Sequence, residues 1–177
     1  PPIWNCYNAI LGMQAEECFT GTRRVVYMSP AGKVLNQEKA AELSAYDNLV
    51  ILCGHYEGVD QRAIDLVIDE EVSIGDYVLT GGELAAAVIA DCVVRLLPGA
   101  MTDDSSALTD SFQDNLLAPP IYTRPADYKG WKVPEILLSG NQAKIEEWLY
   151  DEAVRHTRER RPDLLGEPRA AVWREEM

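Results

Sequence analysis

Residues 49–60 read LVILCGHYEGVD. The unbroken apolar run Leu49 to Cys53 is what a strand buried on both faces looks like, and a loop carrying Gly54 and Gly58 follows it directly. Such a run ending in a Gly-bearing loop belongs to a parallel sheet, in which ligands gather at the carboxyl ends of the strands. The same pattern recurs on either side. Upstream, Arg24 to Met28 (RVVYM) is a β-branched and aromatic run that stops at the turn Ser29-Pro30-Ala31-Gly32. Downstream, Val72 to Ile74 is a short extended piece, Gly75-Asp76 a turn, and Tyr77-Val78-Leu79 a further strand.

Helices fill the intervals. A weak helical pattern runs from Trp4 to Glu17, and Asn36 is the N-cap of a helix carrying Ala40, Ala41 and Leu43. Another helix begins near Asp60 and ends before Asp69-Glu70-Glu71. Thr80-Gly81-Gly82-Glu83 has the T-x-x-E spacing of a capping box, opening a helix that runs to about Leu97, where Pro98-Gly99 stops it. That helix is apolar almost all round and is expected to be buried. Its charged residues after the cap are Asp91 and Arg95, one turn apart. As a bare pair they read as an i,i+4 ion pair; the sharper reading is that a buried helix keeps Arg95 because an anion, or a group becoming anionic, meets it.

Strands alternating with helices define an α/β domain with a parallel sheet over residues 1–99. A Thr-, Asp- and Ser-bearing linker follows over 100–111, then a mostly helical unit over 112–177. In that unit Ser139-Gly140-Asn141-Gln142 offers a second capping box, and Ile145, Trp148, Leu149 and Ala153 give the next helix one apolar stripe. The helix ends in the chain's dense basic cluster, Arg155, His156, Arg158, Arg160 and Arg161, before Pro162.

Composition narrows the function classes. With 47% apolar residues in 177, a packed globular chain is expected. No apolar run approaches the roughly 20 residues of a membrane span, and the start lacks a secretion signal, so a cytoplasmic protein is expected. The four cysteines have no C-x-x-C spacing and read as reduced core thiols. A formal charge of −13, with 29 acids against 16 bases, argues against a general nucleic-acid coat, so any RNA contact must rest on a local basic patch. Neither G-x-x-x-x-G-K-[ST] nor G-x-G-x-x-G occurs, which disfavours a P-loop enzyme or a dinucleotide-binding Rossmann protein. Taken singly, Gly54, Gly58, Gly75, Gly81 and Gly82 read as turn formers; placed after three successive strands, they point to a composite pocket. Cys53 and His55 raise a thiol nucleophile with its base, but Cys53 closes a buried run and no orienting acid is evident. His156 reads as a solvated or RNA-facing side chain.

Residues 53–60 (CGHYEGVD) and 73–83 (SIGDYVLTGGE) resemble the signature of the tRNA (guanine-N1)-methyltransferases, the TrmD family of the SPOUT class. Tyr122-Thr123-Arg124-Pro125 and residues 133–141 (VPEILLSGN) are similar to that family's later motifs. The resemblance implies a parallel sheet with a C-terminal trefoil knot, a rare exception to unknotted topology, and a small helical tRNA-binding domain. It implies a homodimer whose active sites each draw on both subunits. S-adenosylmethionine would lie bent among three loops: Tyr27, Met28, Ser29 and Pro30; then Cys53, Gly54, Glu57 and Gly58; then Ser73, Ile74, Gly75, Tyr77, Leu79, Gly81 and Gly82.

The implied reaction methylates N1 of the guanine just 3′ of the anticodon. N1 must lose its proton before its lone pair can attack a sulfonium methyl, and charge develops on O6. By resemblance Asp110 is the base and Arg95 the supporting cation. Asp110 lies on the linker and acts once that segment orders around the flipped-out base. RNA contacts are expected from Asn141, Arg155, Arg158, Arg160 and Arg161, and Mg²⁺ is implied near Glu57 and Asp110, with no independent metal signature in the sequence. The family's opening D-x-x-P-Y-G-G-G-x-G-M segment is absent, so a fragment, or a protein whose start is missing here, is expected. The alternatives are a dimeric S-adenosylmethionine-binding module without turnover and a SPOUT methyltransferase for another RNA. Gln142 stands where the family usually has His, and Glu146, Glu147 and Asp151 make the helix acidic, so weaker tRNA affinity or greater dependence on Arg155 to Arg161 is expected.

Overall fold

The computed structural model describes residues 1–55, 58–101 and 110–166. The chain divides into two units, Pro1–Thr102 and Asp103–Met177, three residues beyond the boundary expected at Gly99. Glu57 and most of the expected linker, residues 102–109, lie outside the described residues.

The first unit runs α1 (Pro2–Glu16), β1 (Arg23–Val34), α2 (Gln37–Ser44), β2 (Asn48–Cys53), α3 (Gln61–Val67), β3 (Glu70–Ser73), α4 (Glu83–Val94). The sheet has the order β2-β1-β3, with both pairings parallel. The central strand is therefore β1, whose Val25, Val26, Tyr27 and Met28 are all buried, while β2 is an edge strand only half-buried along its length. The doubly buried strand expected at 49–53 is corrected: run length reports apolar neighbours but cannot tell a central strand from an edge. Val26, Met28 and Val72 pack with Leu43 of α2 and with Ala85, Ile89 and Val93 of α4 to form the core. Burying each large side chain there contributes about 1.5–3 kcal/mol.

Two strand readings change. The turn expected at residues 29–32 exists, but as an excursion inside β1: Met28 and Lys33 both lie opposite Val72, and the strand then resumes. The Ser29 hydroxyl accepts from the Ala31 amide at 3.1 Å within that bend. Gly32 comes against β3 so closely that a Cβ there would stand 2.4 Å from the Glu71 carbonyl carbon. Tyr77 to Leu79 form no strand; they are loop, with Val78 90% exposed and no neighbouring strand to pair with. Alternating propensity alone does not make a strand when the sheet offers no partner.

The helix caps follow short-range chemistry. The Asn36 side chain accepts from Lys39 N at 2.8 Å and that of Asp60 from Arg62 N at 3.0 Å, starting α2 and α3. α4, however, begins after Gly82 with no side-chain cap from Thr80. Glu83 instead uses its own amide, which, with His55 beside it, holds its carboxyl below the usual range. Nor is α4 buried all round: Ala85, Ile89 and Val93 face the core, whereas Leu84, Val88 and Val94 are exposed. Asp69-Glu70-Glu71 does not merely trail α3 but leads into β3, where Asp69 accepts from Val25 N at 2.7 Å. Glu70 receives Arg24 at 2.9 Å and Lys39 at 3.0 Å.

In the second unit a two-stranded hairpin, β4 (Asp127–Tyr128) and β5 (Trp131–Lys132), precedes α5 (Glu135–Leu138) and α6 (Gln142–Arg160). Asn141, not Ser139, caps α6, accepting from Lys144 N at 3.3 Å; the Ser139 hydroxyl donates to Ile136 O at the end of α5. The fully buried Thr157 hydroxyl accepts from Leu117 N at 2.8 Å and donates to Ala153 O at 2.7 Å, so the segment after Asp110 is tied to α6. Among the described residues no helix is long and apolar enough to cross a membrane.

Candidate functional site

At the carboxyl ends of the three strands lies a cavity of about 280 Å³. Tyr27, Met28, Ser29 and Pro30 come from the middle of β1, where its excursion begins; the loop after β2 contributes Gly54, His55 and Gly58. The loop between β3 and α4 supplies Ser73, Ile74, Gly75, Tyr77, Val78, Leu79, Thr80, Gly81 and Gly82, while Val72 and Ala85 form part of the apolar lining. Thus loops distant in sequence share one cavity because parallel strands all deliver their carboxyl ends to the same edge. Of the residues named from the sequence for this region, Cys53 is not part of the lining, and Glu57 lies outside the described residues. His55, Val78 and Thr80 were missed, although they sit between named positions on the same loops.

The loops are stitched together by main chain. His55 and Gly81 form an antiparallel bridge, and Gly82 N donates to Gly54 O at 3.0 Å. A Cβ at Gly82 would fall 2.9 Å from Cys53 Cα, so only glycine lets α4 start this close to the end of β2. At Gly54 a Cβ would meet the Tyr27 hydroxyl at 3.1 Å. In the third loop the Ser73 hydroxyl accepts from Gly75 N at 3.1 Å, and the Tyr77 hydroxyl donates to Ile74 O at 3.1 Å. The lining is therefore apolar surface with main-chain groups at its edge, the general composition of a small-molecule pocket.

The titratable groups do not make a nucleophile. Burial, and secondarily the Glu83 charge, pushes the Cys53 thiol above its ordinary range, so the thiolate is disfavoured. His55 Nε2 meets Glu83 Oε1 at 2.5 Å, both on the exposed side of the loop. Burial likewise raises the Tyr27 phenol, which stays neutral.

Arg95 follows α4 and is exposed, as is Asp91; the burial expected for them is not found. Asp110, in the second unit, is exposed. The basic cluster on α6 is largely matched by its own acids. Arg155 pairs with Glu152 at 2.5 Å and Glu159 at 2.8 Å, and Arg161 with Asp163 at 2.7 Å. Arg158 and Arg160 are exposed, and Asn141 spends its side-chain oxygen on the cap. His156 is half-buried with Nδ1 3.4 Å from Ala118 O, not solvated as expected. Among the described residues no group of three or more His, Cys, Asp and Glu side chains is placed to hold a metal ion.

A parallel α/β sheet whose strand-end loops close a glycine-edged cavity defines a small-molecule-binding α/β protein. The chain belongs to the tRNA (Guanine-1)-methyltransferase TrmD family, whose model matches residues 6–167. It is 64% identical over 143 residues to the tRNA (guanine-N(1)-)-methyltransferase of Flavobacterium johnsoniae, covering 81% of this chain and 63% of that protein. It is 62% identical over 164 residues to the enzyme of the same name from Flavobacterium psychrophilum, covering 93% and 70%. The namesake from Bacteroides thetaiotaomicron is 56% identical over 164 residues, again covering 93% and 70%. The chain thus spans about two thirds of the length of the curated relatives it matches.

Proposed function

We propose that this protein methylates N1 of guanine in tRNA, at the position 3′ of the anticodon, using S-adenosylmethionine. The observation that carries the reading is the convergence of three strand-end loops on one apolar, glycine-edged cavity in a chain of this family. The residues fit the cofactor: a Cβ at Gly82 would collide with the Cys53 main chain and one at Gly54 would crowd the Tyr27 ring, and their absence leaves main-chain groups at the rim. S-adenosylmethionine held there would supply an electrophilic methyl on its sulfonium. Tyr27 to Pro30, Gly54 to Gly58 and Ser73 to Gly82 would bind and bend it and keep water from the methyl. Asp110 would take the proton from guanine N1, and Arg95 would stabilise the charge developing on O6. Mg²⁺ near Glu57 and Asp110 belongs to the same reading by resemblance, and no step is routed through it.

The same reading makes the protein a cytoplasmic homodimer, knotted at the sheet's carboxyl edge, with each active site drawing on both subunits. The exposed Leu84, Val88 and Val94 on α4 support self-association, although the exposed Asp91 interrupts them. The C-terminal trefoil knot belongs to this reading by resemblance. The 112–177 domain, through Asn141, Arg155, Arg158, Arg160 and Arg161, would hold the RNA.

The test is methyl transfer to unmodified tRNA and to ribosomal RNA, with cofactor binding followed by calorimetry. Asp110→Asn should lower transfer by about 10²–10⁴-fold while cofactor affinity stays within error. Mixing the Asp110→Asn and Arg95→Ala proteins should restore activity in mixed dimers. Cofactor binding without transfer by the wild type would select a non-catalytic module, and transfer to ribosomal RNA alone would move the substrate.

A further inference from the structure

We propose that the β4–β5 hairpin is a stacking platform for an unpaired RNA base; this rests on the reading of tRNA as the substrate and adds a contact outside the α6 arginines. Tyr128 and Trp131 are cross-strand partners, so their side chains leave the same face of the ribbon. They are 60% and 82% exposed. A single exposed aromatic is ordinary, but two opposed on a tight turn, with cations around them, form a pattern. Lys129 Nζ stands 5.4 Å from the Tyr128 ring centroid and Arg124 lies just upstream, while Lys132, cross-strand from Asp127, leaves the opposite face of the ribbon. Asp127, the acid of the same stretch, turns one oxygen to the Gly130 amide at 2.9 Å.

The platform is pre-organised. A hairpin of two residues per strand does not hold itself together in water. Here Val133 N donates to Ala126 O at 2.9 Å across its base, and Lys129 and Gly130 take the positive φ values, 54° and 86°, that close the turn. Tyr122, at the entry, packs on Trp148 of α6 with ring centroids 6.4 Å apart. Tyr and Trp side chains on a fixed backbone have only two rotatable angles to lose on contact, so binding gains most of the stacking energy.

Chemistry selects the occupant. Every base has a face that stacks on an aromatic ring, and the Lys129 ammonium beside the Tyr128 ring can meet a neighbouring phosphate. In a duplex the base faces are already stacked, so the partner is a base splayed out of a single-stranded loop. A local excess of cations in a chain of formal charge −13 favours a polyanion over an acidic second copy of the same chain.

The experiment measures binding of an unmodified tRNA transcript and of an unstructured RNA oligonucleotide at several salt concentrations. Trp131→Ala should weaken tRNA binding about tenfold at every salt, and Trp131→Phe should restore most of it. Lys129→Ala should flatten the slope of log affinity against log salt by up to about 1. Melting temperature and cofactor affinity should not move in any of these variants. Trp131→Ala binding tRNA as tightly as wild type would overturn the platform and leave the proposed activity standing. Hairpin-dependent RNA binding without methyl transfer to tRNA would do the reverse. Altered sedimentation of Trp131→Ala without RNA would reassign the face to self-association.

Discussion

Around the cavity of the first unit, Gly54, Gly81 and Gly82 bring one loop's main chain against another's, and the His55–Glu83 pair stands at the exposed edge. On α6 of the second unit and just beyond it, order at the surface comes from side chains: Arg155 sits between Glu152 and Glu159 on the helix, and Arg161, after its end, grips Asp163. At Gly82 the first construction leaves no room for an added atom. The second tolerates truncation, because exposed ion pairs are screened and each is worth little.

The sharpest break in that comparison is Gly82→Ala. With its new methyl 2.9 Å from Cys53 Cα, α4 must move off β2. The expected cost is about 1–3 kcal/mol of stability by denaturant unfolding. Cofactor affinity by calorimetry should fall at least about tenfold, since an ångström of displacement opens the loop contacts. Wild-type affinity in this variant would mean the cavity rim is not built as described.

A charge pair inside the first unit should fall between the extremes. Burial pushes the Glu70 carboxyl up, but hydrogen bonds from Arg24 and Lys39 outweigh it and hold the group below its usual range. A depressed carboxyl contributes stability that is full above its unfolded value, near 4.3, and is lost as pH falls through the folded value. Glu70→Gln should therefore cost about 1–2 kcal/mol at neutral pH, and the gap to wild type should close in acid below that window. Chemical unfolding at several pH values checks both.

The smallest effect is expected on α6, and it separates two arginines of one cluster. The Glu152 and Glu159 carboxylates raise the Arg155 guanidinium above its usual range and neutralise its field. Arg155→Ala should leave the salt dependence of tRNA binding nearly unchanged, whereas Arg160→Ala should flatten it by about 1. Equal effects would show that the acids let Arg155 go when RNA arrives.

Elements that depend on near neighbours are legible in the residues themselves. The caps at Asn36 and Asp60 rest on contacts two or three residues away, so the sequence carries them whole. The strand-end loops are legible because a Gly-bearing turn after an apolar run is a local event. The expectations that fail share a cause: the strand at 77–79, the burial of α4 and the rank of β2 within the sheet all depend on which segment lies alongside. Local patterning does not reveal His55 as a cavity residue, because its place comes from a bridge to Gly81, 26 positions along the chain.

Local patterning by itself determined that there would be parallel strands and that Gly-bearing loops would follow the runs at 49–53 and 72–74. Only the tertiary structure decided that β1 is the centre, that residues 29–32 bulge against β3, and that α4 keeps an apolar face outward. Strand order and helix facing are set by the packing free energy of segments far apart in the chain, and hydrophobic periodicity within one segment contains no information about its neighbours.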